Sequence, residues 1–366
     1  MAVRDKELTY LVCFEQLDRA PLCRLLQAAG WRELSLSDAM RASAVDLLAV
    51  DGKYNWDRRL WQINCGVKSR LDAAQITNKV NLHEQLSEKA PELIPKTVAV
   101  RSPLSLDGQA QKTPPSIPAE GEVWIWRPER GFSGRGVTAF TTQAELDSVW
   151  ADHRHTFPKE RALISRYIVN PAPLVVGGTL RKFHLRLYFL VVAIPEGTPG
   201  VRAGRRSALY AEGEIAHSKE PYVQDDYANP MVHDTHIKWS EERRFPRDYP
   251  GGQLAAEKIL GLARGMLTRV SEVLLPTVCP YAGCQGGYEV YGVDLMVDSL
   301  GRAWLIEINS RPGYEMLSGA PAARAQRRDW ISDFILLGVA EFAIGLPVRG
   351  RSPLLTCLDL PYAESC

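Results

Sequence analysis

Tyr291-Gly-Val-Asp-Leu-Met-Val-Asp298, followed after Ser299-Leu-Gly-Arg302 by Ala303-Trp-Leu-Ile-Glu-Ile-Asn309, is the stretch on which the reading of this chain turns. Both halves alternate with the period of two that a strand imposes. Asp294, Met296 and Asp298 fall on one face, and Val293, Leu295 and Val297 on the other. In the second half Trp304, Ile306 and Ile308 share a face, and Leu305, Glu307 and Asn309 share the opposite one. The pattern predicts an antiparallel hairpin. With Leu300-Gly301 as a two-residue turn, Ser299 pairs with Arg302 and Asp294 comes to lie opposite Glu307.

Two carboxylates opposed at roughly 5 Å repel each other unless something positive lies between them. A hard cation such as Mg2+ removes that cost, and Asn309 offers a carbonyl ligand. Asp294, Glu307 and Asn309 are therefore the expected metal set. The plain alternative is a pair of acids facing solvent at a sheet edge.

Working outward, Trp126-Arg-Pro-Glu-Arg-Gly-Phe-Ser-Gly-Arg-Gly-Val137 runs between two predicted strands. Gly131, Gly134 and Gly136 permit backbone conformations closed to other residues, so their N–H groups can close over phosphate oxygens, with Arg127, Arg130 and Arg135 adding charge. The segment lacks the Gly-Lys-Ser/Thr of a Walker loop and leads into a strand, which excludes a dinucleotide fingerprint. A solvated hairpin is the alternative. Arg181-Lys-Phe-His-Leu-Arg-Leu-Tyr188 sets Lys182, His184, Arg186 and Tyr188 against Phe183, Leu185 and Leu187, a polar strand face able to meet an anion or simply to face water. His233-Asp-Thr-His236 lacks a third ligand at zinc spacing, and Cys279 with Cys284 lacks a partner group, so these read as a surface cluster and incidental thiols.

The net charge of +1 gives no global field toward nucleic acid or anionic lipid, so neither is an expected partner and any anion site is local. Seven cysteines, an odd number without a dense framework, favour a reducing compartment and a cytoplasmic location. Phe189 to Ile194 and Phe334 to Ile344, the longest apolar stretches, fall short of the run of roughly 20 residues that spans a bilayer.

Alternating strand-like and helix-like pieces predict a small α/β domain over residues 1–101, with a helix from Asn81 to Leu93 and a strand from Thr97 to Val100. The Pro- and Gly-rich stretch from Ser102 to Gly121 reads as a linker into a central lobe over 102–170, with strands Glu122 to Trp126, Val137 to Phe140 and Ala162 to Ile168 and a helix Gln143 to Trp150. A third lobe, 171–345, holds a strand Lys182 to Ala193, a polar cover from His217 to Gly252, helices Leu254 to Leu275 and Arg324 to Ala343, and the hairpin. The basic run Arg202 to Arg206 reads as a solvated loop, and 346–366 as a tail.

These segments together resemble the tubulin–tyrosine ligase-like family, a branch of the ATP-grasp ligases. The hairpin carries the likeness most strongly. Ile76 to Leu82 resembles the family's polar segment opening a helix, Pro128 to Gly136 its phosphate-covering loop, Ala162 to Ile168 its linker strand beside adenine, and Arg181 to Arg186 its Arg-Lys-Phe-Asp-Ile-Arg element. The resemblance runs from about Asn64 to Ile344 and implies an α/β (α+β) ATP-grasp fold whose C-terminal lobe is a mixed or antiparallel sheet. It further implies ATP and Mg2+ as cofactors. Nucleotide contacts are implied for Arg127, Arg130, Gly131, Ser133, Gly134, Arg135, Gly136, Arg166, Tyr167, Lys182, Arg186, Asp294 and Asn309, and catalytic positions for Arg186, Glu307 and His184.

The implied reaction joins a free amino acid to a protein or peptide acceptor through an acyl phosphate, with tubulin among the conceivable acceptors. Several positions depart from the family. Arg127 stands where lysine is usual, Ser165-Arg166 replaces a Gln/Glu-Lys pair, and His184 replaces an acid. Ala211 and Ala216 occupy places typical of arginine, and His236 replaces Asn. The acceptor side is thus rewritten, which leaves open a small-molecule ATP-grasp enzyme or an ATP-binding module without catalysis.

Overall fold

All of Phe183–Ile194 is buried, because this strand has a strand on each side and an apolar cluster against each face. Phe183, Leu185, Leu187, Phe189 and Val191 enter the larger core, while Tyr188, Leu190, Val192 and Ile194 enter a second one. The computed structural model describes residues 8–310 and Leu355–Leu358, with breaks at 14–22, 25, 51–57, 69–70, 105–109, 132–133, 195, 197–203, 228, 234, 236–243 and 281–283. The predicted Arg324 to Ala343 helix and part of the His233 to His236 cluster lie outside the described residues.

From one edge, the large sheet runs Arg244–Phe245, Gly204–His217, Phe183–Ile194, Cys284–Val297, Cys65–Lys68, Val45–Val50, Thr9–Cys13 and Arg32–Glu33. Pairing is antiparallel as far as Cys284–Val297 and parallel from there on. Strands from the first hundred residues and strands from the third predicted lobe therefore share one continuous sheet. The Gly252–Leu274 helix seals one face through Ala256, Ile259, Leu260, Ala263, Met266, Leu267, Val270 and Leu274, the spacing of a helical apolar stripe.

A separate antiparallel sheet holds Thr97–Val100, Ala162–Arg166, Trp124–Pro128 and Thr138–Phe140 in that order. The Gln143–Thr156 helix, opened by a Thr142/Glu145 capping box, packs Leu146 and Trp150 against Trp124, Trp126 and Phe140. Among the described residues no helix is long and apolar enough to cross a membrane.

Some boundaries move. The predicted Asn81 to Leu93 helix starts at Lys79, where the Asn78 side chain accepts from the Val80 and Asn81 N–H groups, and stops at Lys89 before a short turn at Pro91–Leu93. The run read as a solvated loop at Arg202 to Arg206 enters the Gly204–His217 strand, so Arg205 and Arg206 are sheet residues. Cross-strand pairing outweighed their charge, as their partners Ala193 and Val192 belong to a central strand.

Candidate functional site

The hairpin places Asp294 opposite Glu307, but by a different route from the one its sequence suggests. Asp298 N–H donates to the Arg302 carbonyl and Gly301 N–H to the Asp298 carbonyl, so the loop is Ser299-Leu300-Gly301, three residues, with Gly301 at φ +76. That loop would pair Asp294 with Ile306. A bulge then leaves Ile306 unpaired between Leu305, opposite Leu295, and Glu307, opposite Asp294. The two offsets cancel. They also correct the face assignment: Leu305 and Ile308 both enter the core, while Ile306 and Glu307 line a cleft.

The register extends beyond the hairpin. Glu214, Arg186, Asp294 and Glu307 are successive partners across four strands, which forms a charged row on one sheet face. Arg186 Nε donates to Asp294 Oδ1, and a second guanidinium nitrogen donates to Oδ2 at 2.9 Å, both residues being buried. Burial alone would lower the Arg186 pKa, but the Asp294 charge and hydrogen bonds outweigh it and hold the guanidinium proton more tightly than usual. Glu214, missed in the sequence, accepts from the Tyr188 hydroxyl at 2.8 Å.

Asn309 Nδ2 donates to Asp294 Oδ2 at 3.1 Å and to Glu307 Oε1 at 2.9 Å, so both carboxylates converge on one donor. Here the amide presents its N–H2, not the expected carbonyl. A half-turn of that group exchanges the two, and the three side chains then offer an all-oxygen set of the kind Mg2+ takes. Among the described residues no group of three His, Cys, Asp or Glu side chains gathers for a metal.

Above this row lies a cleft of about 410 Å³ between the two sheets. Its walls include Lys79, Arg127, Gly131, Gly134, Tyr167, Lys182, His184 and Glu307, with Arg166 at the edge. Lys79, absent from the sequence-derived set although it begins a helix capped by Asn78, joins three elements. Its ammonium donates to the Gly131 carbonyl at 3.1 Å and pairs with Glu307 Oε2 at 3.1 Å. Arg127 donates to the Ile306 carbonyl at 2.7 Å and lies 3.7 Å from Glu307. The same carbonyl is 2.9 Å from His83 Nε2. Burial, with the Arg127 charge adding to it, pushes the His83 pKa down to about 3, so the ring is neutral.

The glycine-rich turn is held at its base. Glu129 accepts from Asn78 at 2.6 Å and from Arg161 at 2.7 Å, which binds the turn to the capped start of the Lys79–Lys89 helix. Burial raises the Glu129 pKa, and the Arg161 and Asn78 hydrogen bonds overcome it and leave the carboxylate below its usual range. Sequence alone gives no signal for this link. Arg130, Arg135 and Gly136 point elsewhere: Arg130 is exposed, and Arg135 lies over the Phe157 ring at 5.5 Å. Ser133 lies outside the described residues.

On the opposite wall, the Lys182 ammonium donates to the Tyr167 hydroxyl at 2.5 Å, and Tyr227 meets the Tyr167 ring edge-on at 5.4 Å. His184 Nδ1 is 2.6 Å from Thr235 Oγ1 and its Nε2 is 3.8 Å from Asp294. Tyr227 and Thr235 of the polar stretch line the cleft, whereas Phe245 and Tyr249, further along it, enter the main core. Ala216 sits beside His184 in register, whereas Ala211 packs against the main core and faces away from this row.

Two sheets closing on a cleft, with paired acids on one and a glycine-rich turn on the other, define the ATP-grasp class of fold. The profile of the tubulin-tyrosine ligase family matches residues 64–196 and 209–336, and the chain belongs to that family. A protein of Tetrahymena thermophila named as a probable alpha-tubulin polyglutamylase is 27% identical over 213 residues, 52% of this chain and 48% of that protein. A rat protein named as a probable tubulin polyglutamylase is 26% identical over 220 residues, 52% of this chain and 43% of that one. A human protein named as an inactive polyglycylase is 25% identical over 218 residues, 53% of this chain and 31% of that one. The matches thus span about half or less of each relative's length.

Proposed function

We propose that this chain is an ATP-dependent ligase that joins an amino acid to a carboxylate of a protein or peptide acceptor. The observation that carries the proposal is the convergence of Asp294 and Glu307 on Asn309 at the floor of a cleft whose other wall is the glycine-rich turn. ATP enters the cleft with its base toward Tyr167 and its phosphates toward Lys79, Arg127 and the backbone of Gly131 and Gly134. Asp294, Glu307 and Asn309 would hold Mg2+, which supplies charge neutralisation at the phosphates.

An acceptor carboxylate oxygen attacks the γ-phosphorus and ADP leaves. The amine of the amino acid then attacks the acyl carbon, phosphate departs, and an amide remains. The chain contributes alignment and positive charge. Arg186 acts by fixing Asp294 within the row, and the turn and the polar cover exclude water from the acyl phosphate. Tubulin is a candidate acceptor, in keeping with the names of the relatives.

A nucleotide-binding module without ligation is the second reading, favoured by the His184–Thr235 hydrogen bond and by Ala216 beside it. Incubation with Mg2+-ATP, tubulin, and glutamate, glycine or tyrosine in turn, followed by mass analysis of the tubulin tails and ADP measurement, separates the two. Stoichiometric amide and ADP support the ligase. Tight nucleotide binding with neither product across all three amino acids favours the module, and product that survives Glu307→Gln refutes the site.

A further inference from the structure

Cys65 and Cys284 meet at the seam of the large sheet, where its parallel half joins its antiparallel half. They are direct register partners on adjacent strands. Neighbouring strands lie about 4.7–4.9 Å apart, inside the roughly 4.4–6.8 Å between Cα atoms that a disulfide spans. Both thiols are free, they hydrogen-bond to each other, and both pack against one small apolar cluster that includes Leu11, Val45 and Leu48. Neither lines the cleft. Cys65 is 3% exposed, whereas Cys284 is only partly buried.

We infer that Cys65 and Cys284 form an oxidative modification site, a dithiol that closes to a disulfide on meeting a small disulfide such as oxidised glutathione. Access sets the order of events. The Cys284 thiolate attacks one sulfur of glutathione disulfide and expels one glutathione, leaving a mixed disulfide. Cys65 then gives its proton to solvent and attacks the Cys284 sulfur, expelling the second glutathione. The two protein thiols lose two electrons, and glutathione disulfide gains them. The hydrogen bond from Cys65, with the Lys68 charge adding to it, draws the Cys284 pKa below its ordinary value, whereas the same bond and burial raise that of Cys65. The partly exposed thiol is thus also the more nucleophilic at neutral pH.

Closure ties the strand that carries Asp294 to the strand that leads toward Lys79. The enclosed loop is most of the chain, the case in which a cross-link constrains the unfolded state most.

The test equilibrates the full-length protein in glutathione buffers from reducing to oxidising, traps thiols with iodoacetamide, and maps non-reduced peptides. The Cys65 and Cys284 peptides are expected joined, and the melting temperature is expected to rise by about 5 °C in the oxidised protein and to fall back with dithiothreitol. Cys284→Ser is expected to abolish both effects while leaving ATP binding unchanged. Full alkylation of both residues in the most oxidising buffer would overturn the inference, as would a stable glutathione adduct on Cys284 with Cys65 free, or a link from either residue to Cys13 or Cys279. If Cys284→Ser fails to fold, the wild-type peptide map decides alone. None of these outcomes depends on the ligase reading.

Discussion

Asp294→Asn keeps the size of the side chain and removes its charge, so the buried Arg186 guanidinium loses its direct carboxylate partner and keeps only the more indirect influence of Glu214 and Glu307. Removing one member of a buried ion pair costs about 3–5 kcal/mol, and the lower end applies because the amide oxygen still accepts one of the two Arg186 hydrogen bonds. In the absence of nucleotide, the urea midpoint should therefore fall by the equivalent of about 3 kcal/mol at an unchanged slope. Mg2+-ATP at a hundred times its Kd should stabilise the wild type by about 2.7 kcal/mol, whereas the variant, with one metal ligand weakened, should gain less than about 1 kcal/mol. The double change Arg186→Met with Asp294→Leu separates the two effects. It should recover most of the stability, since an apolar pair replaces an ion pair, and none of the response to Mg2+-ATP. Equilibrium urea denaturation with and without Mg2+-ATP measures all four cases. An Asp294→Asn variant that unfolds at the wild-type midpoint and keeps the full nucleotide response would refute both the buried pair and the metal assignment.

Three other outcomes follow from the same geometry. Lys79→Ala removes the bridge between the Gly131 carbonyl and Glu307 and should weaken ATP binding about tenfold, the worth of one charge-assisted contact; calorimetry giving an unchanged Kd would contradict it. Gly136 lies at φ +74 with Phe157 and Pro128 atoms 2.8 Å from where a Cβ would sit, so Gly136→Ala should cost about 1–3 kcal/mol, read as a lower melting temperature. His83 is held neutral with its pKa pushed down to about 3, so the unfolded chain binds more protons below its ordinary value of about 6.5. The stability His83 allows is full above that value and is lost as pH falls toward about 3. About 2 kcal/mol should be gone at pH 5, and His83→Gln should flatten that part of the urea midpoint profile.

Alternation was the part of this structure legible in sequence. Alternation in the Lys182 to Tyr188 run is legible: Phe183, Leu185 and Leu187 enter the helix-covered core and Lys182 and His184 line the cleft, whereas Tyr188 enters the second apolar core. Pairing of Asp294 with Glu307 is also legible, but the route to it is not: a three-residue loop and a bulge leave no mark in a hydrophobic pattern. Contacts between distant segments were not legible. Glu129 and Asn78 come together only when the turn of one sheet meets a helix cap packed on the other. The charge run at Arg205 and Arg206 misled for the opposite reason, since a central strand recruits its neighbour by backbone pairing whatever the side chains carry.

The bulge at Ile306 has a consequence for how this hairpin can change. A residue left out of the ladder turns its carbonyl free, and that carbonyl is the one gripped by Arg127, from the smaller sheet, and by His83, from the Lys79–Lys89 helix. Turn length and bulge are therefore a compensated pair. Shortening the turn by one residue and deleting the bulge together would leave Glu307 facing Asp294. With no residue removed, a two-residue turn that kept the bulge would set Glu307 opposite Leu295, and a three-residue turn without it would set Glu307 opposite Val293, both core residues. Sequences descended from this one can trade the two only jointly, and any that lose the bulge must find Arg127 another anchor.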